Sequence, residues 1–498
     1  MHADSAPYMT IDEILNQFDI SGSFYIRLVF WCASTWLADA VTVHSFGFLS
    51  TCAGIYLGWS GSEIGVSSSM IMVGEVIGAL TWIISADSFG RRLPGIVSFA
   101  IFAIASWLSG IASNLVFYCT LRFFVGVGIG GSCVPLETLS EIVPSKSRGT
   151  VLALGPLVES CGAIFINIVA SSMLSFDGQG EQWRTLAFAV AMFPTLAFIG
   201  LYTFFPESPR WYLAESKFDE AEHLIHSMAK MNGTILRPFT FKRHALLDGN
   251  QPRNYETSSN DDHDVRAELT SYDAISLAND FKEKTHPKKS LSAVNHFALL
   301  KELFNGDLRR KSIVLSLMWL TRGVCTVGGI LFINRLHNIH NDSKVCQFDF
   351  QKIIFNGTSE LIGGVVLIPI IDKFGRIPTI LGFNVLAVLS LVVMLLNVSN
   401  DVHVVSQLTL MSSWIMRLSF FCSTGITCII SMESFRTRHR STAFALVFLA
   451  SRLGAIIGIT IVANNYSNAT VEGIFLFFVM VMAVSGLFLK ETKDAAMD

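Results

Sequence analysis

The chain has 498 residues, of which 51% are hydrophobic and only 15% are charged, and its mean hydropathy is +0.50. Because a soluble domain keeps about a quarter of its residues charged, this composition excludes an ordinary soluble globule and predicts an integral membrane protein. The formal net charge of −3 argues against a nucleic-acid partner, which would need a strongly basic surface. The sequence contains no nucleophile–base or metal-ligand constellation, so neither an enzyme nor a cofactor is predicted.

Apolar segments long enough to cross about 30 Å of hydrocarbon recur in two sets of six. Residues 1–23 precede them and are polar and acidic, without the basic start and apolar core of a cleavable signal peptide. The first set lies in 24–205 and the second in 313–489, followed by a tail at 490–498. The segments are predicted near 24–47, 64–86, 93–112, 116–140, 150–173, 184–205, 313–334, 352–371, 378–397, 404–433, 441–463 and 472–489. The predicted fold is an all-α integral membrane protein with twelve transmembrane helices in two six-helix halves.

The interval 206–312 between the halves has a different composition. Its segment ESKFDEAEHLIHSMAKMNG carries apolar residues at helical spacing, which predicts an amphipathic helix against the membrane or the base of the bundle. These residues are Ala221, Leu224, Ile225, Met228 and Ala229. The stretch 250–268 is polar and nearly free of large apolar residues, so we expect it to be disordered. We predict that the interval is a cytosolic loop without a catalytic domain.

Lysine and arginine in the short connections predict the orientation of the bundle. They occur in GRR at 90–92, in Lys146 with Arg148, in KFGR at 373–376 and in RTRHR at 436–440. All four connections lie on one side of the predicted bundle, whereas the loops 48–63 and 174–183 on the other side contain none. Because the positive side of a membrane protein faces the cytosol, both termini and the central loop are predicted to be cytosolic.

The same orientation gives the glycosylation sequons testable positions. Asn341 and Asn468 are predicted to face the outside or a lumen, and Asn397 lies close to that face. These three are therefore glycosylation candidates. Asn232 is predicted to be cytosolic and unmodified.

Three patterns that are typical of metal, disulfide or cofactor sites fail on inspection. The nine cysteines form no CxxC pair, so we expect neither a disulfide framework nor a zinc site. GVGIGG contains a literal GxGxxG at Gly126, Gly128 and Gly131, but it lies in an apolar helix without a preceding strand, and close helix packing explains it better. His337 and His340 in HNIH lack further ligands nearby, and we expect a solvated loop there.

The two halves contain related segments in the same order. EVIGALTWIISADSFGRR and ELIGGVVLIPIIDKFGRI share several residues at a constant offset of 285 positions, as in Glu75 and Glu360. SEIVPSKSRGT matches MESFRTRHRST at an offset of 292, and the same offset aligns ESCGAIF at 159–165 with SRLGAII at 451–457. The sequence therefore predicts two parallel repeats of six spans, a plan of transporters that place their site at the repeat interface.

The repeated polar residues suggest a gate at the cytosolic ends of the helices. The first copy consists of Asp87, Gly90, Arg91, Arg92, Glu141 and Arg148, and the second of Asp372, Gly375, Arg376, Glu433 and Arg440. The aspartate ends a helix, the glycine permits a tight turn, and the arginines can pair with carboxylates or helix C-termini. A cluster that holds the ends together in one state and separates in the other acts as a gate. A static ion-pair cluster is the alternative.

Several segments closely resemble the major facilitator superfamily: DSFGRR, RFFVGVGIGGSCVP, SEIVPSKSRG, PESPRWYL and LKETK. The segments TIDEILNQFDISGSFYIRL, WLADA, ESFRTRHRST and SRLGAI resemble its synaptic-vesicle-2 and organic-ion branch, which includes metabolite:proton symporters. The resemblance covers nearly the whole chain outside 235–300. It implies twelve helices, alternating access and, in many members, proton-coupled movement of organic ions or vitamins.

The sequence also departs from this family pattern. Ile83 and Ile368 replace glycines of the loop motif, and Ser88 replaces a basic residue. Thr42 takes the place of the acidic residue that follows Asp39 in the helix-one motif, so one carboxylate of a proton-coupling pair is missing.

Few ionisable residues lie well inside the spans, and each needs a partner or a wet cavity because a central charge costs about 2.5–3.5 kcal/mol. If the family architecture holds, helices one, five, seven and eleven are central, and they carry Asp39, Glu159 and Arg452. Arg452 is predicted to bind a substrate carboxylate, while Asp39 or Glu159 carries a proton. A permanent Glu159–Arg452 pair is the alternative. Arg417 is a second candidate cation, or it bonds to carbonyls of its own helix.

Three other polar residues inside the spans are predicted to be structural. Glu75 and Glu360 occupy repeated positions, which suggests a structural task shared by both halves. His44 is expected to be a satisfied polar group rather than a proton relay.

The sequence favours a proton-coupled secondary transporter of small organic ions, with a lean toward anions such as carboxylates. It is expected to act as a monomer by alternating access, with the substrate, protons and the lipid bilayer as partners. The alternatives are a non-transporting receptor or trafficking protein with the same fold, and a sugar or organic-cation transporter. The predicted location is the plasma membrane or an intracellular vesicle membrane.

Overall fold

The computed structural model describes residues 9–152, 154–174, 182–241, 301–337, 346, 348–396, 402–435, 437–464, 466–489 and 491. Long α-helices make up most of these ranges, as the apolar segments predicted. The polar stretch 250–268 and the sequons at Asn341 and Asn397 lie outside the described residues, so those three predictions stay predictions.

The first half consists of six long helices. They are α1 (Ser23–Leu57), α2 (Gly61–Phe89), α3 (Arg92–Ser109), α4 (Leu115–Ile142), α5 (Ser145–Leu152 with Leu154–Leu174) and α6 (Trp183–Phe204). The turn between α1 and α2 shows why the chain reverses there. Gly58 ends α1 in the left-handed region with a φ of 75°, and Ser60 and Glu63 form a reciprocal capping box that begins α2.

The second half repeats this arrangement. Its helices are α7 (Gly306–Leu336), α8 (Phe350–Phe374), α9 (Arg376–Leu395), α10 (Val402–Ser434), α11 (Thr437–Ala463) and α12 (Asn468–Gly486). Among the described residues, eleven of the twelve combine the length and hydropathy of a membrane span. The twelfth, α8, has 25 residues, which is about 37 Å of helix and also long enough to span. The predicted twelve-helix fold is confirmed.

The repeat is visible in the backbone of two equivalent turns. Gly90 has a φ of 91° and Gly375 a φ of 90°, a region in which a side chain is strained. In the first turn Glu207 accepts hydrogen bonds from the backbone N–H groups of Arg91 and Arg92. Glu491 accepts the equivalent pair from Arg376 and Ile377, at 2.9 Å each. The two copies are therefore built in the same way at this turn.

The glycine-rich segment of α4 serves helix packing. A Cβ atom added at Gly126 would overlap the carbonyl oxygen of Ile71, and one added at Gly74 would overlap the carbonyl oxygen of Phe123. Helices α2 and α4 thus approach each other backbone to backbone. The prediction that GVGIGG is a packing motif is confirmed.

Contacts between the halves define one end of the bundle, which we call the disulfide end. Helix α2 packs against α11, and α5 packs against α8. A disulfide joins Cys52 of α1 to Cys346, which lies just before α8, with 5.2 Å between their Cα atoms. Phe48 of α1 packs against Phe348 and Phe350 in the same apolar cluster. Although the sequence predicted no disulfide framework, one bridge forms, because the fold brings together cysteines 294 positions apart.

The opposite end, which we call the basic end, carries the turns around Arg91 and Arg376. The predicted amphipathic helix runs from Phe218 to Asn232 and buries Ala221, Ile225, Met228 and Ala229. It packs on the start of α1 together with the short helix Ile11–Leu15. The central interval therefore begins as part of the base of the first half.

Candidate functional site

Eight polar side chains converge near the middle of the bundle, and their charges are divided between the halves. The first half contributes Asp39 and His44 on α1, Glu75 on α2 and Glu159 on α5. The second half contributes Arg322 on α7, Glu360 on α8, Arg417 on α10 and Arg452 on α11. The first half thus supplies three carboxylates and a histidine, whereas the second supplies three arginines and one carboxylate. We call this set the central charge cluster.

Arg452 forms an ion pair across the two halves, from its Nη2 atom to the Oε1 atom of Glu75. Glu75 is only 1% exposed, and the guanidinium of Arg452 lies 4.5 Å from the centre of the Phe448 ring. The alternative raised from the sequence, a permanent Glu159–Arg452 pair, is wrong, since the partner is Glu75. Helix α2 lies against α11 and presents Glu75 to it.

Arg417 forms a second buried ion pair. Its Nε and Nη2 atoms contact Oε1 of Glu360 at 3.0 and 2.9 Å. Its Nη2 atom also lies 3.2 Å from Nδ1 of His44 in the other half. Because a guanidinium can only donate, His44 accepts at Nδ1 and carries its ring proton on Nε2, which faces Oε2 of Glu360 at 3.8 Å. Arg417 is thus paired with a carboxylate rather than bonded to carbonyls of its own helix, and His44 is a satisfied polar group, as expected.

Arg322 has a different environment, and the sequence analysis missed it. Its Nε atom donates to Oγ1 of Thr424 at 2.9 Å, and its guanidinium lies 4.4 Å from the centre of the Trp319 ring. Within the described ranges it makes no ion pair, although it interacts electrostatically with Glu159 and Arg452. The signal was present, since Arg322 is the single charge inside LSLMWLTRGVCTVGGILF.

Among the described residues, two carboxylates of the first half have no cation within ion-pair distance. Glu159 is exposed on the inner side of α5, and it interacts electrostatically with Asp39, Glu360, Arg322 and Arg452. Among the side chains that the structure describes, none forms a hydrogen bond or ion pair with Glu159. Asp39 is partly buried and lies beside Glu75 and Arg452. One arginine and two carboxylates with accessible surface therefore lie near one another between the halves.

At the basic end, the predicted gate residues of the first half form ion pairs within that half. Arg91 contacts Asp87 at 2.6 Å and Glu141 at 3.4 Å. Arg148 contacts Asp12 at 3.3 Å, in the short helix that precedes α1. Arg92 donates to a backbone carbonyl of α6.

The second half shows the same type of cluster. Arg376 contacts Glu433 at 2.9 Å, while the side chains of Asp372 and Arg440 lie outside the described residues. Sequence analysis missed four members of these clusters: Asp12, Arg210, which contacts Asp12 at 2.6 Å, and the two equivalent carboxylates Glu207 and Glu491, which cap the turns. The described ion pairs at this end all stay within one half.

A comparison with known proteins decides the family. The family model described as sugar (and other) transporter matches residues 19–240 and 256–494. The chain belongs to this family. It is part of the major facilitator superfamily, so the resemblance inferred from the motifs is confirmed and the protein is a multi-pass membrane transporter rather than an enzyme.

Relatives and solved structures extend this assignment. The transporter is 22% identical to organic cation/carnitine transporter 7 of Arabidopsis thaliana, over 97% of this chain and 94% of that one. It is 29% identical to synaptic vesicle glycoprotein 2A of Rattus norvegicus over 221 residues, which are 42% of this chain and 30% of that one. The partially occluded inward open structure of the xylose transporter XylE from E. coli has a TM-score of 0.68 at 14% identity, and covers 95% of this chain and 100% of its own.

Two smaller predictions concern the disulfide end of the transporter. His337 is buried, and its Nε2 atom lies 3.4 Å from Nδ2 of Asn356. The expected solvated loop is therefore wrong at His337, because this residue ends α7 and contacts Asn356 of α8. His340 lies outside the described residues. Asn468 begins α12 at this end, whereas Asn232 lies at the basic end, where it donates to the backbone of Asp19.

Proposed function

We propose that this protein is a secondary active transporter of small organic ions that works by alternating access between its two halves. The observation that carries the proposal is the central charge cluster, in which ionisable groups of both halves face one space. A charge at this depth is expensive unless it has a partner or a wet cavity. The cluster contains both kinds of group: the Glu75–Arg452 pair joins the halves, while Arg322 and Glu159 keep accessible surface and form no ion pair among the described residues.

The contacts between the halves support a rocking movement. At the disulfide end, the halves share an apolar cluster that includes Phe48 and Phe350. At the basic end, Arg91 and Arg376 find their carboxylates within their own halves. We interpret this arrangement as a state that is closed at the disulfide end. The clusters at the basic end keep the ends of each half rigid, and they are proposed to meet when that end closes.

Chemistry at the two ends supports the orientation. Disulfides persist in oxidising compartments, so the Cys52–Cys346 bridge favours the outside or a lumen for the disulfide end. The basic connections favour the cytosol for the opposite end, with the termini and the central loop. Asn468 then lies on the non-cytosolic side and is a glycosylation candidate. The name of the relative synaptic vesicle glycoprotein 2A favours an intracellular vesicle membrane over the plasma membrane.

The substrate class follows from the unpaired groups. Because Arg452 is held by Glu75, we assign the contact with a substrate anion to Arg322, with Glu159 as the facing carboxylate. We propose Asp39 as the proton-coupling residue, because it lies beside the Glu75–Arg452 pair that joins the halves. A proton on Asp39 would change the net charge around that pair and so bias the movement of the halves. The names of the relatives include carriers of organic cations, carnitine and xylose, which keeps a sugar or cation substrate among the alternatives.

Uptake into proteoliposomes tests the proposal. A panel of organic anions, cations and sugars is offered under an inward proton gradient, with and without a protonophore. We expect saturable accumulation that the protonophore abolishes. Asp39→Asn should keep exchange of substrate across the membrane but lose accumulation driven by protons. Accumulation that Asp39→Asn leaves intact contradicts the coupling role.

A second candidate function is a non-transporting receptor with the transporter fold. The disulfide favours it, because a covalent bridge between the halves restricts opening at that end. The folded wild-type protein would then neither exchange nor accumulate any member of the panel. Exchange that begins only after reduction of the bridge would assign the disulfide as the restraint.

A further inference from the structure

His44 makes a polar contact between the halves that is separate from the Glu75–Arg452 pair. The residue lies on α1 and is only 5% exposed. Its Nδ1 atom accepts a hydrogen bond from Nη2 of Arg417 in the second half, at 3.2 Å. The same guanidinium is paired with Glu360 inside the second half. The His44 ring is therefore the group through which the Glu360–Arg417 pair reaches the first half.

This contact depends on the charge of the imidazole ring. A neutral ring with its proton on Nε2 offers the Nδ1 lone pair to Arg417, whereas a proton on Nδ1 fills that lone pair and places two donors against each other. The added positive charge then lies 3.2 Å from a nitrogen of Arg417 but 3.8 Å from Oε2 of Glu360. Because Arg417 already neutralises Glu360, the extra charge has no carboxylate of its own, which is unfavourable in a buried site. His44 is satisfied only while it is neutral.

Arg417 and Glu360 are the charged groups that face His44. Helix α10 presents Arg417, helix α8 presents Glu360, and both interact electrostatically with the ring. The helices that pack on α1 carry further charged residues, which interact with groups other than His44: Glu75 on α2, Glu137 on α4, Glu159 on α5, Arg184 on α6 and Arg322 on α7. A change of charge on His44 is therefore felt first by the Glu360–Arg417 pair.

The position of His44 on α1 connects it to the disulfide end. Phe48 follows one turn later, in the apolar cluster that the halves share, and Cys52 follows after one more turn. At Gly47, α1 approaches α7 so closely that an added Cβ would lie 2.7 Å from Nδ2 of Asn334. Helix α1 is thus held against the second half from His44 to the disulfide end, and His44 is the member of this row whose contact changes with protonation.

We propose that His44 is a proton site in addition to Asp39, and that a proton on its Nδ1 atom breaks the contact with Arg417 and favours opening of the disulfide end. The proton comes from water, occupies the Nδ1 lone pair and returns to water when the ring becomes neutral again. Acid then favours the open state, and base favours the closed one. This inference rests on the proposed alternating access and adds a second site to it.

The two proton sites act on different links. Asp39 lies beside the Glu75–Arg452 pair, whereas His44 contacts Arg417. The five residues between their positions turn a helix by about 140° beyond one full turn, so the two side chains leave α1 in different directions. Removal of one site should leave the response of the other in place.

The distance between the halves at the disulfide end tests the proposal on the full chain in lipid nanodiscs. Spin labels are attached to p-acetylphenylalanine at Ser62 of α2 and Ala469 of α12, which are exposed residues of different halves, so that the native cysteines stay intact. We expect acidification from about pH 8 to about pH 5, the range in which histidine ordinarily changes charge, to increase the ratio of long to short distances. The increase should be at least about threefold.

A matched substitution separates protonation from packing. His44→Asn keeps an acceptor for Arg417 near the position of Nδ1 but takes no proton, so it should keep the short distance and lose most of the pH response. Asp39→Asn should keep a response that follows the His44 ring. His223→Asn, at an exposed histidine of the helix Phe218–Asn232, is the control and should respond like the wild type.

Nitrogen NMR of ring-labelled histidine tests the ring itself in the wild-type protein. The His44 signal is identified by its loss in His44→Asn. We expect a neutral ring at high pH with its proton on Nε2 and an accepting Nδ1. At low pH we expect an imidazolium, whose midpoint coincides with that of the distance change. This measurement does not depend on the folding of a variant at the midpoint.

The outcomes separate this inference from the proposed function. A pH response that His44→Asn leaves unchanged overturns the inference, as does a His44 ring that stays neutral over the whole range. Absence of a response both in the wild type and in Cys52→Ser also overturns it. A response that His44→Asn abolishes, without uptake of any organic ion or sugar, supports the proton site and contradicts transport. Uptake driven by protons that is equal in wild type and His44→Asn, without a pH response at this end, supports transport and contradicts the role of His44.

Discussion

Arg322 and Arg452 lie on helices that pack closely, yet they have different surroundings. The backbones of α7 and α11 touch at Gly323 and Gly454, where an added Cβ would overlap a carbonyl oxygen of the other helix. Arg452 forms an ion pair with Glu75 of the other half, whereas Arg322 has a hydroxyl and an aromatic ring as its partners. Arg452 thus joins the halves, and we propose that Arg322, which has no carboxylate partner among the described residues, is available to a ligand.

Breaking the Glu75–Arg452 ion pair should have the largest effect on the free energy of unfolding. Glu75→Gln leaves the partly buried guanidinium of Arg452 without its buried carboxylate partner, so we expect a loss of about 3–5 kcal/mol in the free energy of unfolding. Thermal unfolding of the purified protein measures this loss. The double variant Glu75→Gln with Arg452→Gln should recover part of it, because no charge is then left unpaired. Unfolding of Glu75→Gln at the wild-type temperature would contradict the structural role of the pair.

Removing the Cys52–Cys346 disulfide leaves fewer links between the halves and so reveals more of the contribution of the Glu75–Arg452 pair. Cys52→Ser should lower the free energy of unfolding by about 2–4 kcal/mol. It should also increase the loss caused by Glu75→Gln, because the ion pair then carries more of the contact between the halves. Cys325→Ser, at a buried free cysteine of α7, is the control. Strict additivity of Cys52→Ser and Glu75→Gln would show that the two links act independently.

Changing Arg322 should affect binding more than stability. Arg322→Gln removes a charged hydrogen-bonding partner worth about 1.5–3 kcal/mol, or roughly ten- to a hundredfold in affinity for an organic anion that the wild type accumulates. The unfolding temperature should change little, because no carboxylate loses its partner. Equilibrium binding and thermal unfolding of the same preparation give both numbers. A large loss of stability with unchanged affinity would reverse the roles assigned to the two arginines.

The basic end should show the smallest effect. Arg91→Ala removes ion pairs that are partly exposed and stay within one half, so the expected loss of stability is about 1 kcal/mol or less. We expect a lower maximal rate of uptake with unchanged substrate affinity, because we propose that Arg91 acts on the movement of the halves and does not contact the substrate. Arg376→Ala should behave alike, since it occupies the repeated position. An altered affinity would place Arg91 in contact with the site.

The sequence predicted the helices and the repeat better than the partners inside the site. Apolar length marks a membrane span directly, and Gly90 and Gly375 mark the equivalent turns because their backbone needs a positive φ. The predicted alternative partner of Arg452, Glu159, was wrong. Each residue turns a helix by about 100°, and the repeat offset does not say which way a side chain faces around its helix. The disulfide was missed because Cys52 and Cys346 meet only in the folded bundle.

Equilibrium binding of a radiolabelled organic anion that the wild type accumulates, compared among wild type, Arg322→Gln and Glu75→Gln, tests the central claim most directly. Affinity is expressed per folded molecule, so that instability does not enter the comparison. The account predicts that Arg322→Gln loses at least about tenfold in affinity, while Glu75→Gln keeps an affinity close to that of the wild type. Wild-type affinity in Arg322→Gln, together with a loss in Glu75→Gln, would contradict it.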